Sequence, residues 1–130
     1  MAQKQPNKKG NDSRQKLGRW GESVAATHLE ANGFAILHKN WRCRQGEVDL
    51  VAQKGESLHF VEVKTRRGRG KGSPEEAITS KKAQKLINTA LAYIGEHELD
   101  DADWQVDLIA VELDLHGKLI RCEHLPNILY

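Results

Sequence analysis

Cysteine is scarce in this chain. The two present, Cys43 and Cys122, lie far apart and without C-x-x-C spacing. A disulfide framework or a thiolate zinc site is therefore not expected, and both read as reduced, space-filling thiols. No apolar run approaches the length of a membrane span. The N-terminus, "MAQKQPNKKGNDSRQK", is polar and basic with no apolar stretch behind it, which predicts no secretory signal and a cytoplasmic protein. Aromatic residues are few, and Trp20, Trp41 and Trp104 all fall in predicted elements, so they read as core rather than as base-stacking platforms. The six histidines show no H-E-x-x-H or similar grouping and read as ordinary surface or core residues. No base-reading motif is present. A phosphate-binding P-loop is also excluded, because Gly70-Lys71 is followed by Gly72 rather than by Ser or Thr.

What the chain does have is charge, unevenly placed. Its 130 residues suit one domain with a real core, and the formal net charge is only +2. Residues 1–20 nevertheless carry six Lys/Arg and one acid, and residues 38–71 carry nine against four, +5 in each case. Residues 96–114 carry eight acids and no Lys or Arg. Such polarity predicts one face that attracts polyanions and another that does not.

Residues 1–14 lack apolar periodicity and read as a disordered basic arm, leaving residues 15–130 as the folded domain. Leu17, Trp20, Val24, Ala25 and Leu29 are spaced for a helix from about Arg14 to Asn32, and Gly33 is a natural stop. "FAILHKNWR", "GEVDLVAQ" and "LHFVEVKTR" read as strands. The short "KGES" turn makes the second and third an antiparallel hairpin. "SPEE" is a helix start, with Ser73 as cap, Pro74 in the first turn and Glu76 closing a capping box. That helix is expected to run to Ile94 on a stripe of Ala83, Leu86, Ile87, Ala90, Leu91 and Ile94, and to stop at Gly95. "WQVDLIAVEL" and "LIRCEHL" are two further strands. The order is α-β-β-β-α-β-β. The second helix is long enough for a crossover, so the fold class is α/β, a single mixed sheet with flanking helices.

Three charged residues sit inside the most strand-like segments. Glu62 and Lys64 alternate onto one face of a strand, and Asp49 on the adjacent strand can reach the same place. Two carboxylates converging in a partly buried site repel each other, and a divalent cation removes that penalty. Mg²⁺ (or Mn²⁺) suits oxygen ligands of this kind, with the backbone carbonyl of Val63 as a further donor. Such an ion polarises a phosphodiester, and Lys64 can orient a water or neutralise developing charge. The competing reading is a cross-strand salt bridge on a surface hairpin. The loop "TRRGRGKG" follows directly, offering Arg66, Arg67, Arg69 and Lys71 to a nucleic-acid backbone with glycines that allow close approach.

Asp49, twelve intervening residues, then Glu62-Val63-Lys64 resembles the D…E-x-K core of the restriction-endonuclease-like (PD-(D/E)XK) nuclease superfamily. More closely, "GRWGESVAATHLEANGFAIL", "NWRCRQGEVDLVA", "FVEVKTR" and "KKAQKLINTALAYI" resemble the YraN-like family of small uncharacterised bacterial proteins. That resemblance runs from about Gly18 to about Leu113. It implies a restriction-endonuclease-like fold and a metal-dependent, endonuclease-like action on DNA, structure-selective or non-specific. It implies that Glu22, Asp49 and Glu62 are metal ligands, Lys64 the catalytic lysine and Lys82 a phosphate contact. Glu47 shares a strand face with Asp49 and is a secondary candidate. Asp107, an acid inside a strand, either supports the site or pairs with a basic residue. A homodimer is expected by analogy with nucleases that cut two strands. A non-catalytic DNA-binding or adaptor protein that keeps the fold is the alternative.

Overall fold

A computed structural model describes residues 9–68 and 73–129. The elements are α1 (Lys9–Ala31), β1 (Ala35–Cys43), β2 (Gly46–Lys54), β3 (Ser57–Arg67), a 3-10 turn (Pro74–Ala77), α2 (Ser80–Glu96), β4 (Asp103–Leu113) and β5 (Leu119–Leu125). The strands form one mixed sheet in the order β1-β2-β3-β4-β5. Only the β3–β4 pair is parallel, and α2 lies on the crossover that joins them. This is the expected mixed α/β arrangement, with the expected element order.

Strand alternation sorts the core into two layers. On one face Leu50, Ala52, Val61, Val63, Ile109 and Val111 pack with Ala25, Ala26 and Leu29 of α1. On the other, Val51, Leu58, Phe60 and Val106 pack with Leu86, Ala90, Tyr93 and Ile94 of α2. α1 ends as its sequence predicts. Gly33 takes a left-handed φ of 90°, its N–H donates to the Glu30 carbonyl, and the Phe34 N–H donates to the Leu29 carbonyl. This is a Schellman stop, closed by packing of Phe34 and Leu29 in one core.

Several local expectations are corrected. α1 begins at Lys9, not near Arg14; of the arm expected over residues 1–14, residues 1–8 lie outside the described residues. The "SPEE" cap works: the Ser73 N–H donates to Glu76 Oε1 at 3.1 Å. It closes only the 3-10 turn, however. Thr79 then caps α2 afresh, its side chain accepting the Lys82 N–H. Gly95 does not stop α2, which runs to Glu96, and Glu98 takes the left-handed position (φ 55°) that ends it. The buried face of α2 is Leu86, Thr89, Ala90, Tyr93 and Ile94 rather than the expected stripe, and Leu91 is exposed. One turn before Leu86 on that inward face stands Lys82. Trp20 is not core: it is 38% exposed. No helix among the described residues is long and apolar enough to cross a membrane.

Candidate active site

The site forms where the sheet forks. β2 and β3 pair from Lys54↔Ser57 up to Leu50↔Val61, and there their ladder stops. Both strands continue, β2 paired with β1 back to Gly46 and β3 paired with β4 out to Arg67. The N–H of Val63 thus loses its strand partner. It donates instead to Asp49 Oδ2 at 2.8 Å. A side chain replaces the ladder bond, and Asp49 is drawn into the fork.

Glu62 alternates onto the α2 face and is 6% exposed. Its Oε2 pairs with Lys82 Nζ at 2.8 Å. That contact, more than any other, raises the lysine's pKa above its ordinary value. From the opposite layer α1 supplies Glu22, whose Oε1 accepts from Asn40 Nδ2 at 3.1 Å. Glu22 is carried close to the sheet by its neighbour. A Cβ on Gly21 would come within 1.9 Å of Thr65 Oγ1, so only glycine lets α1 lie this tightly on β3.

Electrostatics mark the fork as over-supplied with negative charge. Asp49 is pushed up to about 8, first by burial and then by the charge of Glu62, with Glu22 adding to the rise. The Val63 N–H and Lys82 oppose it without cancelling it. An open cleft of about 530 Å³ leads to the fork, lined by Arg19, Glu22, Asn40, Arg42, Glu47 and Asp49 among others. Glu62 and Glu22 lie near enough to raise Asp49, but among the described residues only His59, Asp107 and His124 bring three ligand atoms within 4.8 Å of one another.

The sequence-derived candidates fall into three groups. Asp49 and the Val63 backbone meet at the fork, and Glu62, Glu22 and Lys82 are near enough to shift the Asp49 carboxyl. Lys64 is half-buried and shares the Glu62 face by alternation. Arg66 donates to the Ser73 carbonyl at 3.2 Å, while exposed Arg67 lines a separate cleft of about 350 Å³ beside Lys16 and Trp20. Arg69 and Lys71 lie outside the described residues. Glu47 is not gathered with the others: it is exposed and paired with Arg42 at 2.7 Å. Arg19 and Arg42, at the mouth of the cleft, were not singled out by sequence, since nothing in their local pattern is distinctive.

A second cluster was also missed. Asp107 on β4 is fully buried, and its Oδ2 accepts from His59 Nδ1 (2.6 Å, β3) and His124 Nε2 (2.8 Å, β5). Its Oδ1 accepts from Gln105 Nε2 at 2.8 Å and the Asn127 N–H at 2.9 Å. Burial alone would raise this carboxyl; the bonds from His124, His59, Asn127 and Gln105 outweigh it and hold Asp107 well below the usual carboxylate range. Asp107 therefore pairs with basic residues and does not line the fork. His59 and His124 are not scattered histidines but its partners. The available signal was phase: His59 and Asp107 occupy inward positions of apolar strands.

Fold and site together define a class, a mixed-sheet α/β domain with an aspartate drawn into a forked strand pair. Within that class the chain belongs to the YraN-like family described as "Uncharacterised protein family UPF0102", which matches residues 21–111. Similar chains include a UPF0102 protein of Roseiflexus castenholzii, 40% identical over 114 residues, covering 87% of this chain and 92% of the relative. A UPF0102 protein of Frankia casuarinae is 47% identical over 109 residues, covering 84% and 92%. Among solved structures, "The structure of Pyrococcus Furiosus SfsA in complex with Ca2+" overlaps with a TM-score of 0.40 at 15% identity. The overlap covers 86% of this chain but only 64% of that one, too loose a likeness to transfer any property.

Proposed function

We propose that this protein is a metal-dependent, endonuclease-like hydrolase of DNA phosphodiesters, structure-selective or non-specific in the manner of repair and recombination enzymes. The observation that carries the reading is Asp49 drawn into the fork where β2 and β3 part, with Glu62 and Glu22 near enough to raise its pKa. These carboxylates, with the Val63 carbonyl, would hold Mg²⁺ or Mn²⁺. When bound, such an ion supplies a Lewis acid for a phosphoryl oxygen and lowers the pKa of a water. The chain's own groups do the rest. Lys64 orients the attacking water and offsets charge that develops on the phosphate. Arg66, Arg67, Arg69 and Lys71 hold the backbone through non-specific contacts that weaken with salt. Lys82, once its Glu62 oxygen is otherwise engaged, is free to take a phosphate. Cutting two strands at once calls for two sites, hence two copies of the chain.

A second reading, a DNA-binding or adaptor protein without cleavage, is favoured by one observation. Lys82 already neutralises Glu62, one of the ligands the first reading needs. The test is incubation with end-labelled single-stranded, duplex, flapped and four-way DNAs in Mn²⁺, Mg²⁺ or EDTA, beside Glu62→Ala purified identically. Metal-dependent cleavage that disappears in the variant supports the nuclease. Salt-sensitive binding without cleavage of any substrate supports the adaptor.

A further inference from the structure

We propose that His59, Asp107 and His124 form a second metal site, for a divalent transition metal of borderline character, Zn²⁺ foremost. It is separate from the carboxylate fork and goes beyond the nuclease reading. His59 and Asp107 alternate onto the α1 face with Val61, Val63, Ile109 and Val111, whereas Glu62 faces α2. His59 also lies three residues back along β3 from Glu62.

The argument begins with charge. Asp107 is buried completely, and its ion-pair partners among the described residues are both histidines. A fully buried carboxylate whose ion-pair partners among the described residues are imidazoles has no Lys or Arg to balance its charge. A divalent ion would supply permanent positive charge at that point.

Geometry agrees. Asp107 Oδ2, His59 Nδ1 and His124 Nε2 all lie within 4.8 Å of one another. Zinc with N and O ligands about 2.0–2.1 Å away in tetrahedral geometry keeps those ligands roughly 3.3 Å apart. The N–O separations of 2.6 and 2.8 Å would open by roughly 0.7 and 0.5 Å to admit it. Three protein ligands leave a fourth position, and the His124 side chain is 18% exposed, giving a water access there.

The outer atoms are already held. A histidine that binds metal through one ring nitrogen usually donates from the other, which fixes its orientation. The second nitrogen of His59 sits 3.2 Å from Ser57 Oγ. The second oxygen of Asp107 is held by Gln105 and Asn127. The Phe34 ring stands edge-on to both imidazoles, at 4.9 and 5.7 Å between centroids. Mg²⁺, which favours oxygen and octahedral geometry, does not match this donor set.

The test uses the untagged full chain stripped with EDTA. Zn²⁺ is titrated against a chromophoric chelator, with melting followed in parallel. One Zn²⁺ per chain at micromolar affinity or tighter and a raised Tm are expected. His124→Gln, which can keep a hydrogen bond to Asp107, should lose at least about ten-fold in affinity. Asp49→Asn and Glu62→Gln should leave zinc affinity unchanged, which separates this site from the fork. On the unaltered chain, stoichiometric Zn²⁺ should shift the ring resonances of His59 and His124 and leave those of His28, His38, His97 and His116 in place. The proposal is overturned by sub-stoichiometric or no binding, by equal affinity in His124→Gln, by loss of binding in the fork variants, or by shifts at the other histidines.

Discussion

Asp49 and Asp107 invite comparison. Both are aspartates drawn into the sheet interior, yet Asp49 is pushed up to about 8 and Asp107 is held well below the usual range. Burial acts on both in the same direction. The difference lies in what faces each carboxylate. Asp49 receives the Val63 N–H and faces the charges of Glu62 and Glu22. Asp107 receives four hydrogen bonds, two of them from imidazoles, and no acid raises its pKa. Donors, not depth, decide whether a buried carboxylate is ionised. One region therefore favours a proton or a hard cation on its carboxylate, while the other keeps its carboxylate anionic, as a metal ligand requires, and ties three strands and the C-terminal segment together.

The comparison can be broken most forcefully at Asp107. Asp107→Ala should lower stability by about 3–5 kcal/mol in EDTA at neutral pH, because two imidazoles, an amide and a backbone N–H lose their acceptor. Urea unfolding measures this, and a loss similar to that of an exposed-acid substitution would end the contrast. Next in size, Gly21→Ala should cost about 1–3 kcal/mol, since the added methyl meets Thr65 Oγ1. A second change, Thr65→Ala, should recover part of that loss. Full additivity of the two in a double-mutant cycle would contradict the packing described here.

The smaller effect has the opposite sign. Asp49→Asn should stabilise the metal-free protein by about 1 kcal/mol at pH 8 and remove any Mg²⁺- or Mn²⁺-induced rise in Tm. The pH dependence sharpens it. A carboxyl whose folded pKa is raised from 3.8 to about 8 contributes stability fully only below the lower value. That contribution is lost as pH rises through the window between the two values and is gone above the upper one. Asp107, with a lowered folded pKa, behaves inversely: its contribution is present above the unfolded carboxylate value and is lost as pH falls below it. The wild-type stability curve in EDTA should therefore descend towards alkaline pH relative to Asp49→Asn. Parallel curves would mean that Asp49 titrates normally.

These two regions also differ in how far the sequence disclosed them. The strands were legible within a residue or two, because alternation and the "KGES" turn mark them. The start of α2 was not. Ser73 and Glu76 form a genuine cap, but over a single 3-10 turn, and Thr79 starts the helix again. A capping signal says that a turn begins, not how long it lasts. Asp49, Glu62 and Glu22 were found because their spacing carries a pattern. Lys82 was placed in the site but not as the ion-pair partner of Glu62, since that contact depends on the rotation of α2. The Asp107 cluster was hidden because its bonds span 48 and 17 residues and arise only from the register of β3, β4 and β5.

The fork also gives the molecule a spectroscopic gauge of its own state. The Val63 amide hydrogen rests on a side-chain carboxylate where its neighbours rest on carbonyls, so its magnetic environment changes whenever Asp49 gains or loses a proton or engages a cation. One backbone resonance in a nitrogen–proton correlation spectrum thus reads the charge at the heart of the site, without a substrate or a mutation.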